Sequence, residues 1–151
     1  MSAPQSASEG PTAADPADVE LRAAALALVT QDHRRLATRW EALVVAIDAK
    51  SDAVIVRECI VGLIGCARDH FVSEEWAMRA IGAPDYLTHK SEHARLLRDA
   101  CDMLRNFDTA FPREDWPALA AFFRHWLRSH HSRFDAALFT RLTALCNVPA
   151  A

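Results

Sequence analysis

From about Ala17 onward, large apolar residues return every three or four positions, and they do so in four successive stretches. The first runs to about Asp48 and carries Leu26, Val29, Leu36, Trp40, Leu43, Val44 and Ile47 on one stripe, with His33 among them. The second follows Ser51-Asp52, a pair suited to a turn and a helix cap, and carries Ile55, Cys59, Leu63, Cys66, His70, Glu74, Met78 and Ile81. Gly82-Ala83-Pro84 ends it, since Gly accepts the left-handed conformation past a helix end and Pro blocks continuation. A third stretch, from about Tyr86 to Phe107, presents His89, His93, Leu96, Leu97, Ala100 and Leu104. Asp108 to Glu114 reads as a connection, and Pro117 suits the first turn of the last helix. That helix carries Leu119, Phe123, Trp126, His130, Phe134, Leu138 and Leu142. Nothing alternates at the period of a strand. The pattern predicts an all-α fold, an up-down-up-down four-helix bundle over residues 17–148, behind a tail at 1–16 whose Ser, Ala and Pro content points to disorder.

Composition narrows the picture without changing it. A chain of 151 residues makes one domain with a sizeable core. The net charge of −3 has the wrong sign for a nucleic-acid or anionic-membrane partner. No apolar run approaches the ~20 residues that span a bilayer. The first residues have neither a basic nor an apolar segment of the secretory kind, so a cytoplasmic location is expected. Cys59, Cys66, Cys101 and Cys146 form no C-x-x-C pair and fall within helical patterns, which predicts reduced, buried thiols.

What alters the reading is the chemistry inside the stripes. His70 and Glu74, and likewise His89 and His93, are four residues apart, so each pair projects from one face of a helix. His33 and His130 stand in the apolar stripes of the first and last helices, and Asp135 follows His130 by five residues. Burying five imidazoles and two carboxylates among apolar side chains is costly unless something pairs with them, and a pair of metal ions is the most economical partner. Imidazole suits iron, and carboxylates are hard donors able to span two cations. The Glu-x-x-His motif of ferritin-like di-iron oxidases is nowhere in the chain.

The order His33, then His70-x-x-x-Glu74, then His89-x-x-x-His93, then His130-x-x-x-x-Asp135 resembles the hemerythrin family, particularly bacterial single-domain hemerythrins, over roughly Gln31 to Leu145. The resemblance implies two non-haem irons bridged by an oxo or hydroxo group. His89, His93 and His130 would hold one, His33 and His70 the other, and Glu74 and Asp135 would bridge them. The second iron would then have one protein ligand fewer and an open position, at which members of the family bind dioxygen reversibly. The expected function is an oxygen carrier, store or buffer, a binding protein and not an enzyme, with dioxygen as ligand and an unidentified electron or protein partner. A sensor of oxygen, nitric oxide or redox state acting through a partner, and a peroxide or nitric oxide detoxifier, are the alternatives. Leu36, Phe123, Trp126 and His131 are expected around the oxygen pocket.

Three positions depart from the family's pattern. Thr30 stands where an Asp is common, Ala83 where a Tyr precedes the Pro, and His131 where a large aliphatic residue follows the last histidine. His131 also makes the His130 assignment less direct. On an ideal helix His130 and Asp135 lie ~140° apart, while His131 and Asp135 form the cleaner i, i+4 pair. A local π-bulge would restore His130, which shares the core row with Trp126 and Phe134. His131 would then reach solvent, line the pocket, or compete as a ligand. His125 is expected on a solvated face, and Cys66, one turn before His70, as a buried structural thiol.

Overall fold

The computed structural model describes residues 15–147, and among them every regular element is helical. The long helices are α1 (Pro16–Asp48), α2 (Ala53–Ala80) and α3 (Tyr86–Arg105). A short α4 (Phe107–Ala110) and a 3-10 turn at Arg113–Asp115 lead to α5 (Trp116–His130), one π-helical turn (His131–Asp135) and α6 (Ala136–Cys146). The segment expected as a bare connection therefore contains a short helix, and Phe107 anchors it, being buried and stacked on Trp116 with ring centroids 5.7 Å apart. Most of the expected tail, residues 1–14, lies outside the described residues. Its last two positions belong instead to the start of α1, where Asp15 accepts a hydrogen bond from the Ala17 amide at 2.9 Å and Pro16 takes the first turn. The expected domain end at 148 is also outside them.

Chain ends of the helices follow local chemistry. After α2, the Ala83 amide donates to the Met78 carbonyl and the Gly82 amide to the Arg79 carbonyl, with Gly82 at φ +61°. This is the paired hydrogen-bond closure that a left-handed residue past a helix end permits. Asp52 precedes α2 as expected, but its side chain makes no capping bond.

Two separate apolar cores hold the bundle. The larger gathers Leu43, Ile47, Val56, Ile60, Leu63, Phe107, Leu119 and Phe123. The smaller gathers Ala25, Val29, Ala77, Met78, Leu138 and Leu142. On each helix the chemistry-bearing residues fall between the two: His33 between Val29 and Leu36, His70 and Glu74 between Ala67 and Ala77, His130 and Asp135 between Trp126 and Leu138. The stripe on α2 begins one residue later than expected, with Val56 buried and Ile55 at the surface. Leu26, Trp40 and Cys59 are half-buried and lean on the cores from the side, and Val44 is half-buried. The thiols depart from expectation as well: only Cys66 is buried, Cys59 and Cys146 are half-buried, and Cys101 is exposed because it sits on the outer face of α3 beside the buried Ala100. No described helix is long and apolar enough to cross a membrane.

Candidate metal centre

The π-helical turn decides the geometry of the last helix. The buried stripe advances by four, three and four residues through Leu119, Phe123, Trp126 and His130, then by five to Asp135, then by three and four to Leu138 and Leu142. A π turn absorbs that extra residue and returns an i, i+5 pair to one face. His130 and Asp135 are consequently both buried, with His130 Nε2 2.9 Å from Asp135 Oδ1. Phe134, half-buried, stacks on His130 with centroids 5.4 Å apart.

All seven expected donors meet in the layer between the apolar cores. Three nitrogens converge on one side: His93 Nε2 and His89 Nε2 lie 3.1 and 3.4 Å from His130 Nε2. His33 and His70 form the other side, their rings 4.6 Å apart. Asp135 divides its two oxygens between the sides. Oδ1 faces His130 at 2.9 Å and His89 at 3.4 Å, while Oδ2 faces His33 at 3.3 Å and His70 at 3.8 Å. Glu74 Oε2 is in reach of both, 3.2 Å from His93 and 3.5 Å from His89 and from His70. The donors thus fall into two groups able to hold a cation, His89-His93-His130 and His33-His70, and both include Glu74 and Asp135.

Without a cation these groups are poorly satisfied. His70 Nδ1 and Nε2, both Glu74 oxygens, His89 Nδ1, His130 Nδ1 and Asp135 Oδ1 are buried with no hydrogen-bond partner. A buried polar group left unpaired costs roughly 1–3 kcal/mol, so an arrangement with this many calls for a ligand. The spacing fits one. Nitrogens bound at about 2.1 Å to one cation, at neighbouring corners, stand about 3 Å from each other, close to the spacing of His93 and His130.

Electrostatics point the same way. Burial opposes ionisation of Glu74 and Asp135, yet His130, His89 and His93 around the first, and His130, His131 and His33 around the second, hold both carboxyls far below the usual carboxylate range. The imidazoles answer in kind. Burial would lower His89, but Asp135 and Glu74 outweigh it and lift it to about 9, and His130 is raised by the same pair. The cluster is a buried anionic pair that draws positive charge onto itself, as protons when nothing better is present.

Glu75 escaped the sequence reading. Its Oε1 accepts a hydrogen bond from His93 Nδ1 at 3.1 Å, and its Oε2 lies 3.3 Å from Lys90 Nζ. A carboxylate can only accept there, so Nδ1 carries the hydrogen and Nε2 turns its lone pair to the cluster. The available signal was its place beside Glu74, about 100° further round α2 towards α3. Asp32, buried and paired with Arg35 at 3.2 Å, was also missed. Thr30 spends its hydroxyl on the Leu26 carbonyl at 2.7 Å.

A cavity of about 520 Å³ opens beside the His33–His70 side. Leu36, Trp126 and His131, expected around an oxygen pocket, are among the residues that line it. Phe123 does not: fully buried, it packs edge-on behind Trp126, 6.0 Å between centroids, because Trp126 comes between it and the cavity. His131 combines two of its expected fates. Its side chain is 56% exposed, yet its Nδ1 is 3.5 Å from Asp135 Oδ2 and its ring meets His33 edge-on at 4.8 Å. It belongs to neither donor group. His125 is exposed, and burial pushes the Cys66 thiol up, which keeps it protonated.

An all-helical bundle with a carboxylate-bridged histidine cluster between its helices defines a metal-binding protein whose donors fit non-haem iron. The family model of the hemerythrin HHE cation binding domain matches residues 24–142, and the chain belongs to the hemerythrin family. No curated protein and no solved structure matches it.

Proposed function

We propose that the chain is a di-iron protein that binds dioxygen reversibly, as carrier, store or buffer, in a four-helix bundle of up-down-up-down topology. The observation that carries this reading is the unequal division of histidines, three against two, around a shared pair of carboxylates. His89, His93 and His130 would hold one iron and His33 and His70 the other, with Glu74 and Asp135 serving both. When bound, the pair of irons would supply the redox-active, oxygen-binding chemistry. The residues do the rest. Glu75 fixes the tautomer of His93. Phe71 stacks on His93 at 4.0 Å, and Trp126, anchored by its indole N–H to the Leu96 carbonyl at 3.2 Å, walls the cavity. Phe71 thus covers His93, and Trp126 bounds the approach to the His33–His70 side. We further propose a binding protein and not an enzyme, in the cytoplasm, with an electron or protein partner.

The test is an absorption spectrum of the purified protein in air and under argon. Charge-transfer bands that disappear when oxygen is removed and return on readmission support the reading. Bands unaffected by oxygen, or steady turnover of peroxide or nitric oxide at the same centre, contradict it.

A further inference from the structure

The cavity is far larger than its expected guest. A water molecule occupies about 30 Å³ of liquid, and dioxygen is of that order, whereas the cavity measures about 520 Å³. That is within the range of small-molecule binding sites, roughly 300–1,000 Å³. Two cations with one small ligand would fill only part of it.

Its lining has a definite chemistry. The walls are apolar and aromatic, from Leu36, Trp40, Phe71 and Trp126. At the rim stand Arg124 and Arg128, one turn apart on α5 and both exposed. Neither makes an ion pair among the described residues, as is also true of several other surface arginines, but these two share the cavity's lining. The Arg124 guanidinium lies over the Trp40 ring, 5.8 Å from its centroid, so the cation is held at the edge of the aromatic wall. An open cavity with aromatic rings in its wall and two guanidinium groups that have no carboxylate partner suits a molecule with a flat apolar body and one anionic head.

We propose that this cavity binds an amphiphilic organic acid, an arylalkyl carboxylate, with the ring among Trp40, Phe71 and Trp126 and the carboxylate on Arg124 and Arg128. Such an occupant lies between solvent and the His33–His70 side of the cluster. The inference rests on the cavity and its rim, not on oxygen binding.

Isothermal titration of the full-length, metal-loaded protein under argon, with 4-phenylbutyrate and separately with neutral 4-phenylbutyramide, tests it. The acid should bind saturably and about tenfold or more tighter than the amide, the size of effect a charge-assisted contact gives. The double variant Arg124→Ala, Arg128→Ala should erase that preference and leave the amide unchanged. Ala37→Trp, which puts a large ring into the cavity from an exposed position on α1, should weaken both ligands at unchanged metal content. No saturable binding of either compound, or equal affinities for the two, overturns the proposal. So does full affinity for the acid in the double arginine variant, which would assign the carboxylate to the metals instead. Because no step involves oxygen, a failure here leaves the dioxygen reading standing, and the reverse holds too.

Discussion

The two sides of the cluster share their carboxylates but are built to different standards. On the three-histidine side, His89, His93 and His130 are buried, the Nε2 atoms of His93 and His89 lie 3.1 and 3.4 Å from that of His130, and Glu75 holds His93 from behind. On the two-histidine side, His33 keeps 22% of its side chain exposed, and the cavity reaches both rings. The difference teaches where rigidity is placed and where access is left. The closed side is framed by helices α2, α3 and α5, while the open side faces a cavity lined mainly by α1, α5 and the π turn. Three buried histidines stand on one side of the shared carboxylates, and on the other two histidines stand beside a cavity.

The comparison breaks most completely at the residues both sides share. Glu74→Ala should remove both metals, so that metal content by mass spectrometry falls from two per chain to nearly none while helicity by circular dichroism persists. A variant that keeps two metals would show that Glu74 is not shared. Single histidine variants separate the sides. His33→Ala should lower the content towards one per chain and abolish the oxygen response. His93→Ala should leave a centre that is also incomplete, but with the His33–His70 side intact. Identical losses in the two would mean that the sides are not independent.

Smaller effects sharpen the picture. Glu75→Ala removes the partner of His93 Nδ1, and its expected cost is roughly 10–100-fold in metal affinity by competition with a chelator. Unchanged affinity would leave Glu75 as a surface residue paired with Lys90.

In the metal-free chain, pH should act on stability with two signs. His89 has a folded-state pKa of about 9 against an ordinary 6.5, so its contribution is complete below 6.5 and fades as pH rises through about 9. Glu74 and Asp135 are shifted downward, so theirs is present above their ordinary 4.5 and 3.8 and fades as pH falls. The melting temperature should therefore peak at mildly acid pH, between about 4.5 and 6.5, and decline on both sides. A flat profile from pH 5 to 9 would contradict the coupling. The same imidazoles must shed protons to bind metal, so loading near neutral pH should release protons into a weakly buffered solution. His131→Ile is the mildest change: metal content should stay intact and the autoxidation rate should shift. Unchanged kinetics would leave His131 as a surface group only.

Much of this is legible in the sequence, and the reasons are local. The i, i+4 pairs on α2 and α3 are fixed by helical periodicity, so His70 with Glu74 and His89 with His93 could be read directly. The five-residue gap to Asp135 required a departure from that periodicity, and the apolar row through Trp126 and Leu138 was the clue that a bulge would supply it. Glu75 was not legible, because its role depends on how α2 is rotated against α3. Phe123 was misplaced for a related reason: spacing puts it on the inner face but cannot say that Trp126 intervenes. The offset of the α2 stripe, with Val56 and not Ile55 buried, depends on the angle at which α2 meets α1.

The most direct test is an anomalous difference map recorded at the iron absorption edge from crystals of the protein as purified. Two peaks are expected, one among His89, His93 and His130 and the other beside His33 and His70, both touching Glu74 and Asp135. A single peak, or any peak outside this layer, would contradict the account.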